Sequence, residues 1–274
     1  MKRTFSFLLP LSLAAVVSLF VLSCDDDDPG TTTPTENGKL RIAFSNKMGS
    51  KDLKLGTETY VNQAGEPFTV SKLNYFISNI KLIKTDGSNF VVPQDSSYFL
   101  IREANEASQL VTINNVPAGE YSGIEFTIGV DSLRSVSDIS KRKGILDKDS
   151  GPTNEEAMYW DWNPGYIFLK LEGNSDSATS ANGKFYYHIG GFGGLTEKTL
   201  NNIRTTKIDF GSQKAKVTDT AVPEIHLNAD ILRVFNGPTT LSIKANTSVM
   251  YSPISKNIAD NYVSMFSLDQ IDAN

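Results

Sequence analysis

The residues of this sequence best suited to chemistry are its two histidines, His188 and His226. A neutral imidazole is a good ligand for copper or zinc. His188 lies in Phe185–Gly191, a segment typical of a strand, and the glycines after it allow a backbone or an ion to approach closely. His226 lies in Glu224–Asn228, where alternation places it on the more polar face. A hydrogen-bonded structural histidine and a surface histidine are the alternatives to metal ligands.

Both tryptophans of the chain, Trp160 and Trp162, lie in the segment Met158–Tyr166. Alternation along an extended backbone predicts that the two indoles share one face, with Tyr159 and Asp161 on the other. Large aromatic side chains also fill the cores of sandwiches, so a purely structural role is the alternative. Asp161 is a candidate ligand, cap or solvent-facing carboxylate.

Composition and absent motifs exclude several functional classes. The 274 residues carry a formal net charge of −5, so the chain has no basic excess for binding nucleic acid. A single cysteine excludes an internal disulfide and a cysteine-based zinc site. The sequence has no nucleophile elbow, phosphate-binding loop or dinucleotide fingerprint. Asp147 and Asp149 alternate as in calcium loops but lack the closing glutamate. We therefore expect a non-catalytic protein.

The elements that must position these residues are short and rich in β-branched and aromatic side chains. The pattern indicates an all-β fold, an antiparallel β-sandwich of immunoglobulin-like two-sheet architecture with a few short helices. A polar loop between Tyr166–Glu172 and Lys184–Ile189 predicts an antiparallel hairpin, which would bring His188 toward Trp162 and Tyr166. The predicted strands are Lys39–Ser45, Pro67–Ile83, Asn89–Val92, Ser97–Arg102, Leu110–Ile113, Tyr121–Gly129, Tyr166–Glu172, Lys184–Ile189, Thr205–Phe210, Glu224–Asn228 and Thr240–Ala245.

Helical patterns are sparse. Ala229–Phe235 predicts a short helix, and Ile254–Phe266 predicts a longer one from its apolar spacing. Ser132–Glu156 is polar, has mixed charge and contains several helix-breaking residues. We interpret it as a long insertion outside the core, of the kind that often carries function.

The N-terminus predicts an exported protein. Two cations precede an apolar run from Phe5 to Leu22, as in a secretory signal peptide. Val21–Cys24 resembles a bacterial lipobox, in which signal peptidase II cleaves before the cysteine and its thiol is lipidated. Cys24 is therefore the predicted lipidation site, and a free thiol in an uncleaved anchor is the alternative. We expect a signal peptide over residues 1–23, a tether over 24–38 and one folded domain over 39–274.

The tether begins with four aspartates, Asp25–Asp28, and continues as a polar Thr/Pro segment. Like charges repel and do not pack, so this stretch is expected to stay solvated. An acidic run after a lipidated cysteine also resembles the surface-export signal of Bacteroidota lipoproteins, and a plain spacer is the alternative. We expect an outer-membrane lipoprotein whose domain lies in the periplasm or on the cell surface.

Several sequence blocks, in order, resemble the MbnP family, copper-associated periplasmic or surface proteins linked to methanobactin systems. The resemblance covers about residues 39–268. Its blocks are Phe44-Ser45-Asn46, Leu73–Leu82 (ending S-N-I-x-L), Phe126–Asp131 (F-x-I-G-V-D), Met158–Tyr166 (M-x-W-x-W-x-x-G-Y), Phe185–Gly190 (F-x-x-H-x-G) and the tail at Ile258–Phe266.

The resemblance implies a β-sandwich that binds one copper ion. In some members the ion lies near a tryptophan that a partner dihaem enzyme oxidises to kynurenine. By motif His188 is the ligand candidate, and Trp160 and Trp162 are the candidates for modification. The family's second histidine has no matched counterpart here. His226 is the remaining histidine, and Asp161 or Met158 would be the additional donors.

Two functions follow as expectations. The first is a lipid-anchored, non-catalytic copper-binding protein that acts in copper uptake, storage or handling. The second is a metal-free surface lipoprotein that binds a glycan or a protein, with Trp160 and Trp162 as the stacking surface.

Overall fold

The computed structural model describes residues 36–162 and 165–273. The predicted signal peptide, the lipidation site Cys24 and nearly all of the tether lie outside the described residues. Residues Thr35–Asn274 form one compact unit. Within the part of the chain that is described, no helix is long and apolar enough to cross a membrane.

Strands dominate the described structure. The strands are β1 (Asn37–Met48), β2 (Lys51–Asp52), β3 (Tyr60–Val61), β4 (Pro67–Lys84), β5 (Asn89–Val91), β6 (Tyr98–Arg102), β7 (Leu110–Pro117), β8 (Gly119–Ile128), β9 (Tyr159–Trp160), β10 (Gly165–Asn174), β11 (Lys184–Gly190), β12 (Arg204–Asp209), β13 (Ala215–Val217), β14 (Glu224–Asp230), β15 (Ser248–Val249) and β16 (Phe266–Asp272). Strands such as β1, β11 and β14 show the alternation expected when one face is buried, whereas β10 is buried over most of its length.

Helices are short. The α-helices are α1 (Ser132–Ser135), α2 (Pro152–Glu155) and α3 (Ile254–Tyr262). Five 3-10 turns complete the regular structure of the described residues, at Gln94–Ser96, Glu106–Gln109, Ile139–Lys141, Gly144–Leu146 and Ile231–Val234.

The strands form a smaller and a larger sheet. The smaller sheet has the order β16-β14-β1-β2, with β7 also paired to β1. The larger sheet has the order β12-β8-β4-β10-β11-β15, and its short strands β3, β5, β6, β9 and β13 join β4, β8 or β10. Most pairs are antiparallel, but β1–β14 and β11–β15 are parallel, so both sheets are mixed.

The core lies between the two sheets. The inward residues of β1 (Leu40, Ile42 and Phe44) meet those of β4, β8 and β16, and nearly all are inaccessible to solvent. Phe44 packs edge-on against Tyr75, Phe126 and Phe266, with ring centroids 6.0–6.3 Å apart, the arrangement that aromatic quadrupoles favour. The predicted all-β sandwich with a few short helices is confirmed.

A second apolar cluster lies on the outer face of the larger sheet. Residues 132–160 fold over this face and bury Leu146, Met158 and Trp160 against Phe76 and Tyr166. The polar segment Ser132–Glu156 therefore lies outside the main core, as expected, and folds into short helices and turns.

Three predicted elements differ from the structure. Thr240–Ala245 forms a turn, not a strand, because the Ile243 and Lys244 amides donate to the Glu66 carboxylate and not to a neighbouring strand. In the predicted helix Ala229–Phe235, β14 continues to Asp230, whose side chain accepts from the Leu232 amide and starts a 3-10 turn.

The third difference concerns the predicted helix Ile254–Phe266. Helix α3 ends at Tyr262, and Phe266 begins β16, where its ring joins the core. The helical spacing of apolar residues was extended too far, because Phe266 is buried as a strand residue and not as part of the helix.

Candidate histidine and tryptophan site

Strands β10 and β11 carry the first candidate site on the outer face of the larger sheet. They form the predicted antiparallel hairpin, with Lys170 opposite His188. Their neighbours Leu171, Tyr187 and Ile189 are fully buried in the core. Because side chains alternate along a strand, Lys170 and His188 point away from the core.

His188 is held by a carboxylate. Its Nε2 lies 2.7 Å from Glu172 Oε1, and the imidazole is 14% exposed. The hydrogen bond with His188 lowers the pKa of the Glu172 carboxyl, so this group is ionised at neutral pH. When Nε2 donates to a carboxylate, the neutral ring keeps its lone pair on Nδ1. The arrangement leaves Nδ1 as the nitrogen that can bind a metal.

Lys170 fastens the insertion to the sheet beside His188. Its Nζ donates to the carbonyl oxygens of Glu156 (2.8 Å) and Ala157 (2.6 Å), just after α2. Glu156 in turn accepts from Lys72 at 3.1 Å and from Asn74 at 3.0 Å. Burial lowers the pKa of the Lys170 ammonium. These contacts fix the start of the segment that carries the tryptophans.

The two tryptophans are in contact but differ in burial. Trp160 ends β9 and is 5% exposed, whereas Trp162 lies in the following turn and is 65% exposed. Their ring centroids are 5.3 Å apart at 45°. The predicted alternation therefore ends at Trp160, because the chain turns at Asp161. Trp160 fills a core position, and Trp162 is presented to solvent.

The Trp160 indole packs directly against the backbone of Gly190. A Cβ at this position would lie 2.8 Å from Trp160 Cζ3 and 2.4 Å from the Tyr166 carbonyl oxygen. Only glycine fits such a close approach. The glycine two residues after His188 thus serves the packing of the indole.

His226 lies in a different part of the molecule. Its neighbours Ile225 and Leu227 are buried in the core, so His226 faces outward from the smaller sheet. Its Nε2 is 3.0 Å from Asp272 Oδ2 and 3.4 Å from Glu224 Oε1. Nε2 is nevertheless buried without a hydrogen bond, because neither carboxylate has the required direction.

The structure does not bring the two histidines together. His188 and His226 face outward from opposite sheets, with the main core between them. The other proposed donors do not extend either site: Met158 is fully buried in the second cluster, and Asp161 is exposed. Over residues 36–162 and 165–273, no three His, Cys, Asp or Glu side chains are grouped as a metal site. The residues present therefore do not fit a two-histidine copper centre within one chain.

Sequence reasoning missed Glu172 as the partner of His188. The signal was available, because the hairpin register sets Glu172 opposite Tyr186 and hence diagonal to His188. The hydrogen bonds of Lys170 and Glu156 could not be predicted in this way, because they depend on how residues 132–160 fold back onto the sheet.

Comparison with known proteins identifies the family. The model of the MbnP family matches residues 37–252. The chain belongs to the MbnP family. Its fold is similar to that of MbnP from Methylosinus trichosporium, with a TM-score of 0.53 and 13% sequence identity over 87% of this chain and 99% of that one. No curated protein matched the sequence. The MbnP resemblance inferred from the ordered blocks is thus confirmed.

Proposed function

We propose that this chain is a non-catalytic, lipid-anchored MbnP-family protein that binds copper at His188 and acts in copper handling. The observation that carries the proposal is the His188–Glu172 pair on the outer face of a family sandwich. Metal-binding histidines commonly donate their other ring nitrogen to a carboxylate, which fixes the ring and increases its basicity. His188 has this arrangement, with Nδ1 available for copper.

Met250 offers a second donor at the same sheet edge. It directly follows Val249, the register partner of Tyr187, so continuing the parallel register by one residue would place it beside His188. Its side chain is exposed. A thioether favours Cu(I), and an imidazole accepts either oxidation state. A site with so few protein ligands suits exchange of copper with a partner better than permanent storage.

Copper content tests this proposal. The secreted chain from Asp25 onward would be loaded with copper, desalted and assayed by elemental analysis, beside His188→Ala and His226→Ala. We expect His188→Ala to lose the copper that the wild type retains. The matched variant His226→Ala should retain it, because His226 faces outward from the other sheet. Full copper retention by His188→Ala would overturn the assignment of His188 as the copper ligand. Met250→Leu should weaken the binding of Cu(I) and leave that of Cu(II) unchanged.

Anchoring at Cys24 is part of the same proposal and is supported by the sequence. The lipobox, the acidic tether and the MbnP-family domain together favour an outer-membrane lipoprotein whose domain is periplasmic or surface-exposed. We expect Cys24→Ser to move the protein from the membrane fraction to the soluble fraction. Protease treatment of intact cells would then decide which side of the membrane the wild-type domain faces.

A dihaem enzyme is the proposed partner. If it oxidises a tryptophan here, Trp162 is the more accessible candidate, at 65% exposure against 5% for Trp160. Peptide mass spectrometry of protein from its native cells would show kynurenine at position 162. Unmodified tryptophan at both positions would refute this partner.

The exposure of Trp162 also supports a second candidate function, binding of a glycan or a protein without metal. An exposed indole backed by a buried one is a rigid stacking surface. Tryptophan fluorescence discriminates the two functions: quenching by copper supports the first, and a spectral shift with glycans supports the second.

A further inference from the structure

A cleft of about 380 Å³ lies beside the tryptophans, where the insertion meets the glycine-rich loop after β11. Its walls are mainly apolar and include Val136, Trp160, Phe192, Leu195 and Tyr251. Trp160 and Tyr251 meet edge-on, with centroids 6.3 Å apart. The volume lies within the range of small-molecule sites, which are typically apolar with a few polar groups.

The glycine-rich wall of the cleft is held in place. Ser132 Oγ donates to the Phe192 carbonyl oxygen at 2.7 Å, which ties the loop to the insertion. Asn202 Nδ2 donates to the Gly190 carbonyl oxygen at 2.7 Å, and the Gly193 amide donates to Leu200 at 2.9 Å. The cleft is therefore preformed, which lowers the entropic cost of binding.

Among the described residues that line this cleft, Arg142 is the cation and none is acidic. Asp138 is close enough for Arg142 to contribute to lowering its carboxyl pKa, but the two do not form an ion pair. The Arg142 Nη1 lies 3.4 Å from the Tyr159 hydroxyl, and its Nε is buried without a hydrogen bond. In the described parts of the chain, no carboxylate lies within 4 Å of its guanidinium. The other described arginines all have such a partner: Arg41 with Glu224, Arg102 with Glu155, Arg134 with Asp95, Arg204 with Asp260 and Arg233 with Asp230.

A partly buried guanidinium without an anion is unfavourable, and a bound anion would relieve it. The planar fork of arginine matches one carboxylate in a bidentate manner. No lysine lines the cleft to help neutralise a group of higher charge. The aromatic walls favour a flat apolar body.

We propose that this cleft binds a small, planar, largely apolar monocarboxylate, with its carboxylate on Arg142 and its apolar body between Trp160, Tyr251 and Leu195. Neither His188 nor Glu172 lines this cleft, and the proposal does not require copper. It would make the protein a carrier or sensor of an aromatic carboxylate in addition to its proposed copper function.

Calorimetric titration of the secreted chain tests the proposal, with naphthalene-2-carboxylate as the probe and naphthalene-2-carboxamide as its neutral analogue. Chelator is present throughout, and His188→Ala is titrated in parallel, so a failure of copper binding does not affect the result. We expect the carboxylate to bind roughly tenfold or more tightly than the carboxamide, as for a hydrogen bond to a charged group.

Variants locate the binding site. Arg142→Gln should weaken binding of the carboxylate about tenfold and leave that of the carboxamide unchanged. Arg233→Gln, an arginine substitution outside the cleft, is the matched control and should change neither. Leu195→Asp, at a residue 73% exposed and thus tolerant of substitution, should weaken both probes. Absence of binding by the folded wild type, or equal affinity of wild type and Arg142→Gln for the carboxylate, would overturn the proposal.

Discussion

Glu66 is predicted to be one of the most important polar residues for stability. It is 8% exposed, and its carboxylate joins the loop before β4 to the turn at residues 242–244. It accepts from Asn62 Nδ2 at 2.7 Å, Ser242 Oγ at 2.7 Å, the Ile243 amide at 2.6 Å and the Lys244 amide at 3.0 Å. These four donors replace the strand ladder that the sequence led us to expect there.

The size of the effect follows from the donors that Glu66→Ala leaves unpaired. Ser242 can rotate to another acceptor, and water can reach Lys244, which is partly buried. The Ile243 amide is buried and has no such relief, and the buried Asn62 side chain keeps only a long contact of 3.5 Å from Nδ2 to the Leu241 carbonyl oxygen. Each buried donor left without its partner costs about 1–3 kcal/mol, so the two together predict a loss of about 2–6 kcal/mol in the free energy of unfolding. Glu66→Gln keeps one acceptor oxygen and should lose about 2 kcal/mol.

Urea unfolding at neutral pH measures these losses, with Glu120→Gln as the control. Glu120 is exposed, and its substitution should change the free energy by no more than about 0.5 kcal/mol. A loss of that small size for Glu66→Ala would refute the assigned role of the carboxylate.

The same carboxylate predicts a pH dependence. Burial alone would raise the pKa of Glu66, but the hydrogen bonds from Asn62, Ser242, Lys244 and Ile243 outweigh it and leave the pKa below 4.5. A lowered carboxyl pKa stabilises the fold above pH 4.5, and this stabilisation is lost as the pH falls through the folded-state pKa. The difference between wild type and Glu66→Gln should therefore shrink at acidic pH. A difference that stays constant would contradict the ionised form.

Three further predictions concern pH, the packing of Trp160 and the insertion. Burial raises the pKa of six of the ten tyrosine hydroxyls, so stability present below pH 10 should be lost at higher pH. The part of the absorbance change at 295 nm that belongs to these six should appear only with unfolding, and ionisation of all ten before unfolding would count against the prediction. The six are Tyr75, Tyr98, Tyr121 (to about 12), Tyr166, Tyr187 and Tyr262. Gly190→Ala in a Trp162→Phe background should displace Trp160 and shift its fluorescence emission to longer wavelength. An unchanged spectrum would show that the residues around Trp160 can accommodate the added methyl group, contrary to the prediction. Lys170→Met should speed amide exchange at residues 152–160 while exchange in β4 and β8 is unchanged, because the variant loses the hydrogen bonds to the Glu156 and Ala157 carbonyl oxygens. Equal exchange at residues 152–160 in the wild type and the variant would refute this role of Lys170.

Local patterns were sufficient to predict much of the candidate site. The hairpin of β10 and β11 follows from two alternating segments and the polar loop between them. Its period of two also predicts that His188 faces away from Tyr187 and Ile189. Trp162 escaped the same reasoning because alternation holds only while the chain is extended, and β9 ends at Trp160.

The relation between the two histidines could not be predicted from the sequence. It depends on which sheet each strand joins, and β14 joins the smaller sheet by pairing in parallel with β1, far from it in sequence. No local pattern encodes such a pairing. The turn at Thr240–Ala245 was missed for a related reason, since the acceptor of its amides, Glu66, lies far away in the sequence.

The pairing of β1 with β14 also determines when the protein can finish folding. Just after β1, the Gly49 amide donates to Asp230, 181 positions later in the chain. Loop closure over such a distance has a large entropic cost and slows folding. During synthesis β1 emerges among the first elements, and the edge that pairs with β14 stays uncovered until β14 emerges. The smaller sheet is therefore completed late, and the first strand of the domain is the segment most in need of protection against aggregation in the meantime.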